Sequence, residues 1–337
     1  MNRHQVKRSA GDSQMTDEFT RLTDPYQAEL LAHCYRMLGS IHDAEDQLQE
    51  TMIRAWRSFG QFEGRSSVRT WLYRIATNTC LRALETRRRR PLPSGLGQPG
   101  DNPDGPVAPP SQEVPWLEPI PDTLLNPESA AMSRTNIRLA LIAALQYLPA
   151  RQRAVLILRD VLGWHAAEVA ELLGMTTVAA NSALQRARAQ LQQAGLAENE
   201  IREPANPGDR ALLDRYATAF ENADIAALTE LLQKDAVLEM PPLPTWFAGR
   251  DHIGLFLGTH VLRKPGTFKL LPTAANGQPA LAEYQRGPDG VYRAFGVQVL
   301  TATPTSIARI SAFLDPRLPV AFGFPAELTM SQLTGPQ

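Results

Sequence analysis

Apolar residues recur at three- and four-residue steps from about Pro25 to Arg90, with no proline after Pro25, and again from Pro127 to about Ala197. That spacing runs one apolar stripe along each helix and predicts two packed helical blocks. Pro91–Asn126 lacks the period and is crowded with proline and glycine, so a loose linker without a packed element is expected there. After a second break at Glu203–Asp209, helices are predicted over Arg210–Glu221, Ile225–Gln233 and His252–Leu262. Strand-like runs follow, with Asn276-Gly277 and Asp289-Gly290 as hairpin turns. Helices followed by antiparallel strands make an α+β domain. The expected layout is multidomain: a disordered tail over 1–20, a helical bundle over 21–90, the linker over 91–127, a second all-α domain over 128–197, a short linker over 198–208, and the α+β domain over 209–328.

In Asp43–Phe59 the apolar stripe is Ala44, Leu48, Met52, Ala55 and Phe59, while Asp43, Asp46 and Glu50 share another face. An acidic stripe is either a solvated face near a helix N-terminus or a dock for a basic partner, and spacing alone favours the first. In Thr70–Thr86, Leu72, Ile75, Ala76, Thr79 and Ala83 make the core face, and Trp71, Arg74, Asn78 and Arg82 line a second one. Single-stranded DNA asks for that mixture, π-faces for unstacked bases and guanidinium groups for phosphates. The plainer alternative puts Trp71 in the core and the arginines in water, and the stripe does not choose between them. Ahead of this helix, Arg65, Ser66 and Ser67 form a polar loop able to receive a flipped base.

Leu148–Trp164 is strongly apolar and is expected to be buried. Ala166, Val169, Ala170 and Leu173 then share one helical face, Gly174 suits a left-handed C-cap, and Thr176 or Thr177 can cap the next helix. There Ala180, Leu184, Ala187 and Leu191 form the core stripe, opposite Asn181, Gln185 and Arg188, with Ser182 and Arg186 beside them. The Gly turn, the Ala-rich packing and the polar stripe together favour a helix-turn-helix over an ordinary helical hairpin, since amides suit adenine and Arg suits guanine or phosphate.

Charge sharpens this picture. The net charge of −1 hides a block from Arg65 to Arg90 with eight arginines against the single acid Glu85. Pro91–Ser133 carries six acids and no Lys, Arg or His. A local basic block matters more for phosphate contact than the overall balance. Cys34 and Cys80 both fall within helical patterns, so a reduced cytoplasmic protein is expected. No apolar run approaches the ~18 residues of a membrane span, and the N-terminus lacks the apolar core of a signal peptide. No cofactor and no metal are expected.

Three motifs in this order, DAEDQLQET, TWLYRIATN and SALQRAR, are jointly specific. The segments that carry them resemble regions 2 and 4 of extracytoplasmic-function sigma factors of the sigma-70 family. YATAFENADIAALTELLQKDAVLEMPP, NGQPALAEY and FLDPRL resemble the SnoaL-like (NTF2-like) C-terminal domain of one actinobacterial group of them. The resemblance implies two all-α sigma domains followed by an α+β cone. It implies docking of Asp43, Asp46, Gln49 and Glu50 on the clamp of the largest subunit of core RNA polymerase. It places Arg65, Ser66, Ser67, Trp71, Arg74, Asn78 and Arg82 on the −10 element of promoter DNA. Region 4 would sit on the flap of the second-largest subunit, with Thr177, Asn181, Ser182, Gln185, Arg186 and Arg188 on the −35 element, and the linker would thread toward the RNA exit path. Gln47 stands where relatives carry an apolar residue, and Asn181 and Ala183 stand where many carry cations, which lowers the number of phosphate contacts.

For the C-terminal domain the resemblance implies a regulatory role and an internal pocket open to a small ligand. Its candidate lining is Glu239, Met240, Trp246, His252, Tyr284, Gln298 and Phe313. An anti-sigma factor is compatible with the family, although no segment marks one. Two other readings compete: a ligand-responsive helix-turn-helix regulator that never meets polymerase, and an enzyme centred on the C-terminal domain. The first has no use for Asp43–Arg90. The second finds no phosphate loop, metal cluster or nucleophile motif, and the expectation is that the chain is not an enzyme.

Overall fold

A computed structural model describes residues 15–86, 88–111, 113–125, 137–193, 207–303 and 305–329. The expected tail before residue 15, the helical onset at Pro127 and the short linker up to residue 206 lie outside the described residues. The chain forms two compact units, the first from the described parts of 1–88, 124–133 and 144–196, the second from those of 89–123, 134–143 and 197–337.

In the first unit, α1 (15–23) precedes α2 (Gln27–Leu38), α3 (Ile41–Phe59) and α4 (Val68–Glu85). The tail expected to run through residue 20 therefore gives way to helix at 15, because Phe19 seats edge-on against Trp56 and Phe59 at 5.3 Å. Gly39, at φ 72°, ends α2, and Ser40 opens α3 by accepting the Asp43 N–H. Ser67 caps α4 in the same way, through the Thr70 N–H. Ala44, Thr51 and Ala55 of α3 are buried, whereas Leu48, Met52 and Phe59 are half-buried. A polar seam lies within this core: Thr51 and Thr79 share a hydrogen bond of 3.1 Å, and His33 Nε2 meets Thr77 Oγ1 at 3.0 Å. Burial, and secondarily Arg36, push His33 down to about 3, so its imidazole is neutral.

The same unit holds α6 (Ala150–Leu156), a π-helical turn at Ile157–Val161, α7 (Ala166–Leu173) and α8 (Thr177–Gln193); α5 (Leu139–Leu145) precedes them. Val155, Ile157 and Leu158 are wholly buried, as the apolar run requires. Arg153 is buried too, at 4% exposure. Its guanidinium donates to the carbonyl of Met37 near the end of α2, to Gln146 Oε1 (2.8 Å) and O (3.1 Å), and to Leu148 O (3.2 Å). A buried cation surrounded by carbonyls, one of them at a helix C-terminus, ties the two helical blocks together.

In the second unit, α9 (Pro207–Glu221) and α10 (Ile225–Leu231) lead into β1 (Leu232–Glu239), β2 (Trp246–Ala248), α11 (Arg250–Phe256) and a π-helical turn at Leu257–Val261. Then come β3 (Phe268–Ala275), β4 (Gln278–Arg286), β5 (Tyr292–Ala302), β6 (Ile307–Phe313), α12 (Arg317–Ala321) and β7 (Glu327–Leu328). The sheet order is β2-β1-β6-β5-β4-β3, with β7 on β5. It is mixed rather than purely antiparallel, because β1 runs parallel to β6. Asn276 and Gly277, at φ 56° and 65°, make the expected two-residue turn between β3 and β4. Tyr216 and Phe220 of α9 and Phe256 of α11 join the core that covers the sheet.

Pro91–Thr123, expected to be loose, is instead seated on this unit. Leu92, Leu117 and Ile120 are buried. Ser94 Oγ donates to Glu239 Oε2 (2.8 Å), Gly100 N to Trp246 O (2.7 Å) and Ser111 N to Pro242 O (2.9 Å). Ile120 and Asn276 exchange backbone and side-chain hydrogen bonds of 3.0 Å each. A Pro/Gly-rich segment forms no ladder of its own, but it can lie extended along another surface and have its backbone groups satisfied there.

Candidate nucleic-acid interface

On α3, Asp46 and Gln49 are exposed, and Asp43 and Glu50 are half-buried, on the side away from Ala44 and Ala55. Glu50 holds Arg54 at 2.5 Å across one helical turn. In the following loop Arg65, Ser66 and Ser67 are exposed; Arg65 pairs with Glu63 at 2.6 Å, and Ser67 doubles as the α4 cap. Trp71 serves both readings of the stripe. It is half-buried, its ring 4.8 Å from Phe62 and 6.5 Å from Phe59. Arg74, Asn78 and Arg82 are exposed along the same face. Two neighbours of the stripe escaped the sequence reading. Tyr73 is fully buried, and Arg69 binds Glu29 through two nitrogens while its guanidinium lies 5.0 Å from the Tyr73 ring. The charge of Arg69 is therefore spent inside the bundle.

Arg74 Nη2 donates to Glu171 Oε1 of α7 at 2.6 Å, and the Tyr73 and Trp164 rings meet edge to face at 5.7 Å. One of the cations expected to meet DNA is thus paired in the free chain, at the surface, with an acid of the helix-turn-helix.

Gly174 ends α7 at φ 60°, and Thr176, rather than Thr177, caps α8 by accepting the Ala179 N–H at 3.1 Å. Ala180, Leu184 and Ala187 are buried, and Leu191 is half-buried. Thr177, Asn181, Gln185, Arg186 and Arg188 are exposed and Ser182 is half-buried, so the polar stripe faces water. Arg188 is held by Asp160 through two hydrogen bonds of 2.9 and 2.7 Å, which leaves Arg186 as the less encumbered cation. Ala183 is buried, so a cation at that position would have to displace packing.

Residues 22–90 match the Sigma-70 region 2 family model, and residues 138–191 match the Sigma-70 region 4 model. Among curated relatives, the sigma factor SigG of Mycobacterium tuberculosis (strain H37Rv) is 49% identical, over 92% of this chain and 85% of its own length. The chain belongs to the extracytoplasmic-function RNA polymerase sigma factors. The sigma factor SigW of Bacillus subtilis is 29% identical, over 52% of this chain and 88% of its own. The crystal structure of the M. tuberculosis sigma factor SigJ superposes with a TM-score of 0.57 at 22% identity, covering 92% of this chain and 99% of that one, and shows the same fold. This sigma factor directs RNA polymerase to promoters, and the two stripes expected to face DNA sit within the two matched regions.

The C-terminal domain of this sigma factor encloses a cavity, and its lining differs from the expected one. Met240 and Gln298 line it. Glu239, Trp246, His252 and Tyr284 do not. Glu239 is buried and binds Ser94, Arg309 (3.0 Å) and Ser311 (2.9 Å); the Trp246 indole donates to Gly97 O at 3.1 Å. His252 is exposed, and Tyr284 turns to a separate cluster, donating to Pro325 O at 2.7 Å. Phe313 is buried but is absent from the lining. The cavity's polar groups are instead Tyr216, His260, Glu283, Gln285 and Gln298. Glu283 carried a sequence cue that went unread: it is the one acid in β4, whose run Ala280–Tyr284 is buried throughout.

Proposed function

We propose that this sigma factor holds core polymerase through Asp43, Asp46, Gln49 and Glu50 on the clamp of the largest subunit. Arg65, Ser66, Ser67, Trp71, Arg74, Asn78 and Arg82 open and hold the −10 strand. Thr177, Asn181, Ser182, Gln185, Arg186 and Arg188 read the −35 duplex while region 4 rests on the flap of the second-largest subunit. The observation that carries this reading is that all three stripes are exposed or half-buried, on helices whose opposite faces are filled. The protein works in the cytoplasm, beside its polymerase and promoter. Its C-terminal domain regulates rather than catalyses, acting through the linker seated on it.

Run-off transcription with purified core polymerase tests the assignment. Gln185→Ala is expected to lower initiation from the cognate promoter by roughly tenfold, the worth of one good base contact. Trp71→Ala is expected to impair strand opening more than duplex binding. Unchanged bubble formation in Trp71→Ala and Arg74→Ala would remove the −10 assignment. Asn276→Gly keeps the left-handed turn and the backbone bond to Ile120 O but removes the side-chain bonds to Ile120 N and Ile137 O; it is expected to change initiation, and unaltered output would remove the regulatory role of that side-chain contact.

A further inference from the structure

The cavity of the C-terminal domain measures about 360 Å3, within the range of small-molecule sites. Leu238, Phe256, Phe268, Phe295 and Ile310 give it a mostly apolar wall. Its polar groups are arranged as a row: the Tyr216 hydroxyl donates to Gln298 Oε1 at 2.7 Å, and Gln298 Nε2 donates to Glu283 Oε2 at 3.0 Å. His260 also lines the cavity, stacked on Phe256 at 5.2 Å, and its Nε2 is buried with no hydrogen-bond partner. A buried ring nitrogen left unpaired has lost its hydration without replacement, a loss that a ligand group can recover. Among the described residues no Lys or Arg lines the cavity, so a carboxylate or phosphate would enter without a counter-charge from them.

The remaining wall comes from the linker. Val107, Ala108, Pro109 and Pro110 line the cavity, and Val107 packs against the domain's core while the other three are exposed on their outer side. This stretch is fastened at both ends. Asp104 Oδ1 accepts from Thr259 Oγ1 at 3.2 Å before it, and Ser111 N donates to Pro242 O at 2.9 Å after it.

We propose that the cavity binds a small, neutral, mainly apolar molecule bearing one hydroxyl or carbonyl group, held at His260 and the Tyr216–Gln298–Glu283 row and closed over by Val107–Pro110. Burial pushes Glu283 up to about 7, so near neutrality its carboxyl presents either a proton or a lone pair to such a group. Occupancy then bears on the segment between regions 2 and 4. That consequence rests on the sigma-factor reading, whereas the binding does not.

Prodan, a neutral fluorescent naphthalene with a ketone, is the probe, titrated into the full chain carrying labelled methyl groups. The expected result is saturable one-to-one binding with a blue shift, and methyl resonance changes at Val107, Leu257, Ile310 and Leu314. Ala312→Phe, which fills the cavity, is expected to abolish binding. His260→Phe, which keeps the stack on Phe256, is expected to weaken it roughly tenfold, the size of one hydrogen bond. Absence of saturable binding to the unmodified chain, or methyl changes centred elsewhere, overturns the proposal. So does prodan binding that both variants leave unaltered, or tighter binding of a naphthalene bearing a quaternary ammonium group, which would mark a cation site. Run-off transcription on the same preparation separates the two readings. Normal initiation without probe binding loses only the ligand site, and probe binding without initiation loses only the sigma assignment.

Discussion

Replacing Glu283 by Gln removes the one ionising group in the cavity's hydrogen-bonded row while keeping an acceptor for Gln298. Burial raises the Glu283 carboxyl from its ordinary 4.5 to about 7, against a smaller opposing effect of the Gln298 hydrogen bond. The groups facing it are Tyr216 from α9, His260 from the turn after α11, Gln285 from its own strand and Gln298 from β5. Tyr216 stays neutral, its phenol pushed far up by burial and by Glu283. Below the unfolded value both states of Glu283 are protonated and no penalty arises. Between 4.5 and about 7 the folded state holds more protons than the unfolded state, so stability falls as pH rises; above about 7 the loss is complete. At about 1.4 kcal/mol per pH unit, the full penalty is about 3 kcal/mol. Glu283→Gln is therefore expected to stabilise the C-terminal domain by about 3 kcal/mol at about pH 8 and by almost nothing at about pH 4.5. Amide exchange of β4 and β5 in the full chain, corrected for intrinsic rates, reads this domain by itself. A stability difference between variant and parent that does not change with pH would refute the reasoning.

The first unit is expected to respond to pH in the opposite sense. His33 has its folded value lowered to about 3, so below its unfolded value near 6.5 the unfolded state takes up protons first and stability falls with acidification. By about pH 5 the loss is about 2 kcal/mol, and His33→Gln should abolish that slope in exchange measured on α2 and α4. Arg153→Leu strips hydrogen bonds from Met37, Gln146 and Leu148 in a buried site and is expected to cost about 3 kcal/mol or more in urea unfolding; a loss below about 1 kcal/mol would show that the site rearranges. Glu171→Ala frees Arg74 from an exposed pair worth at most about 1 kcal/mol, so stability should barely change. Binding of a single-stranded −10 oligonucleotide, measured by anisotropy at fixed salt, should tighten, and unchanged affinity would detach Arg74 from the DNA.

The helical halves were legible because their information is local. Ala180, Leu184 and Ala187 recur with the helical period, Gly174 and Thr176 punctuate it, and the structure buries that stripe. Asn276-Gly277 was legible for the same reason, since only a left-handed pair closes that turn. The linker was not. Proline and glycine report the absence of a helix or ladder, and they are silent about a neighbouring surface that can take up Leu92, Leu117 and Ile120. The cavity was misassigned for a related reason. The resemblance implies a cone with a pocket but does not say which side chains enter it, whereas lining is decided by which face of each strand turns inward and by the helices covering it, and Glu239, Trp246, His252 and Tyr284 fall outside. Glu239 and Trp246 turned out to fasten the linker, a long-range role with no periodic signature.

Because the segment between the two DNA-gripping regions is stitched to the third domain, that domain is no detachable appendage. A chain cut short after region 4 would carry Leu92, Leu117 and Ile120 bare into water, each forfeiting about 1.5–3 kcal/mol of burial. Such a stump trades a tailored tether for an adhesive one, and its behaviour would report stickiness together with the missing regulator. Descendants that shed the domain would need a rewritten tether as well.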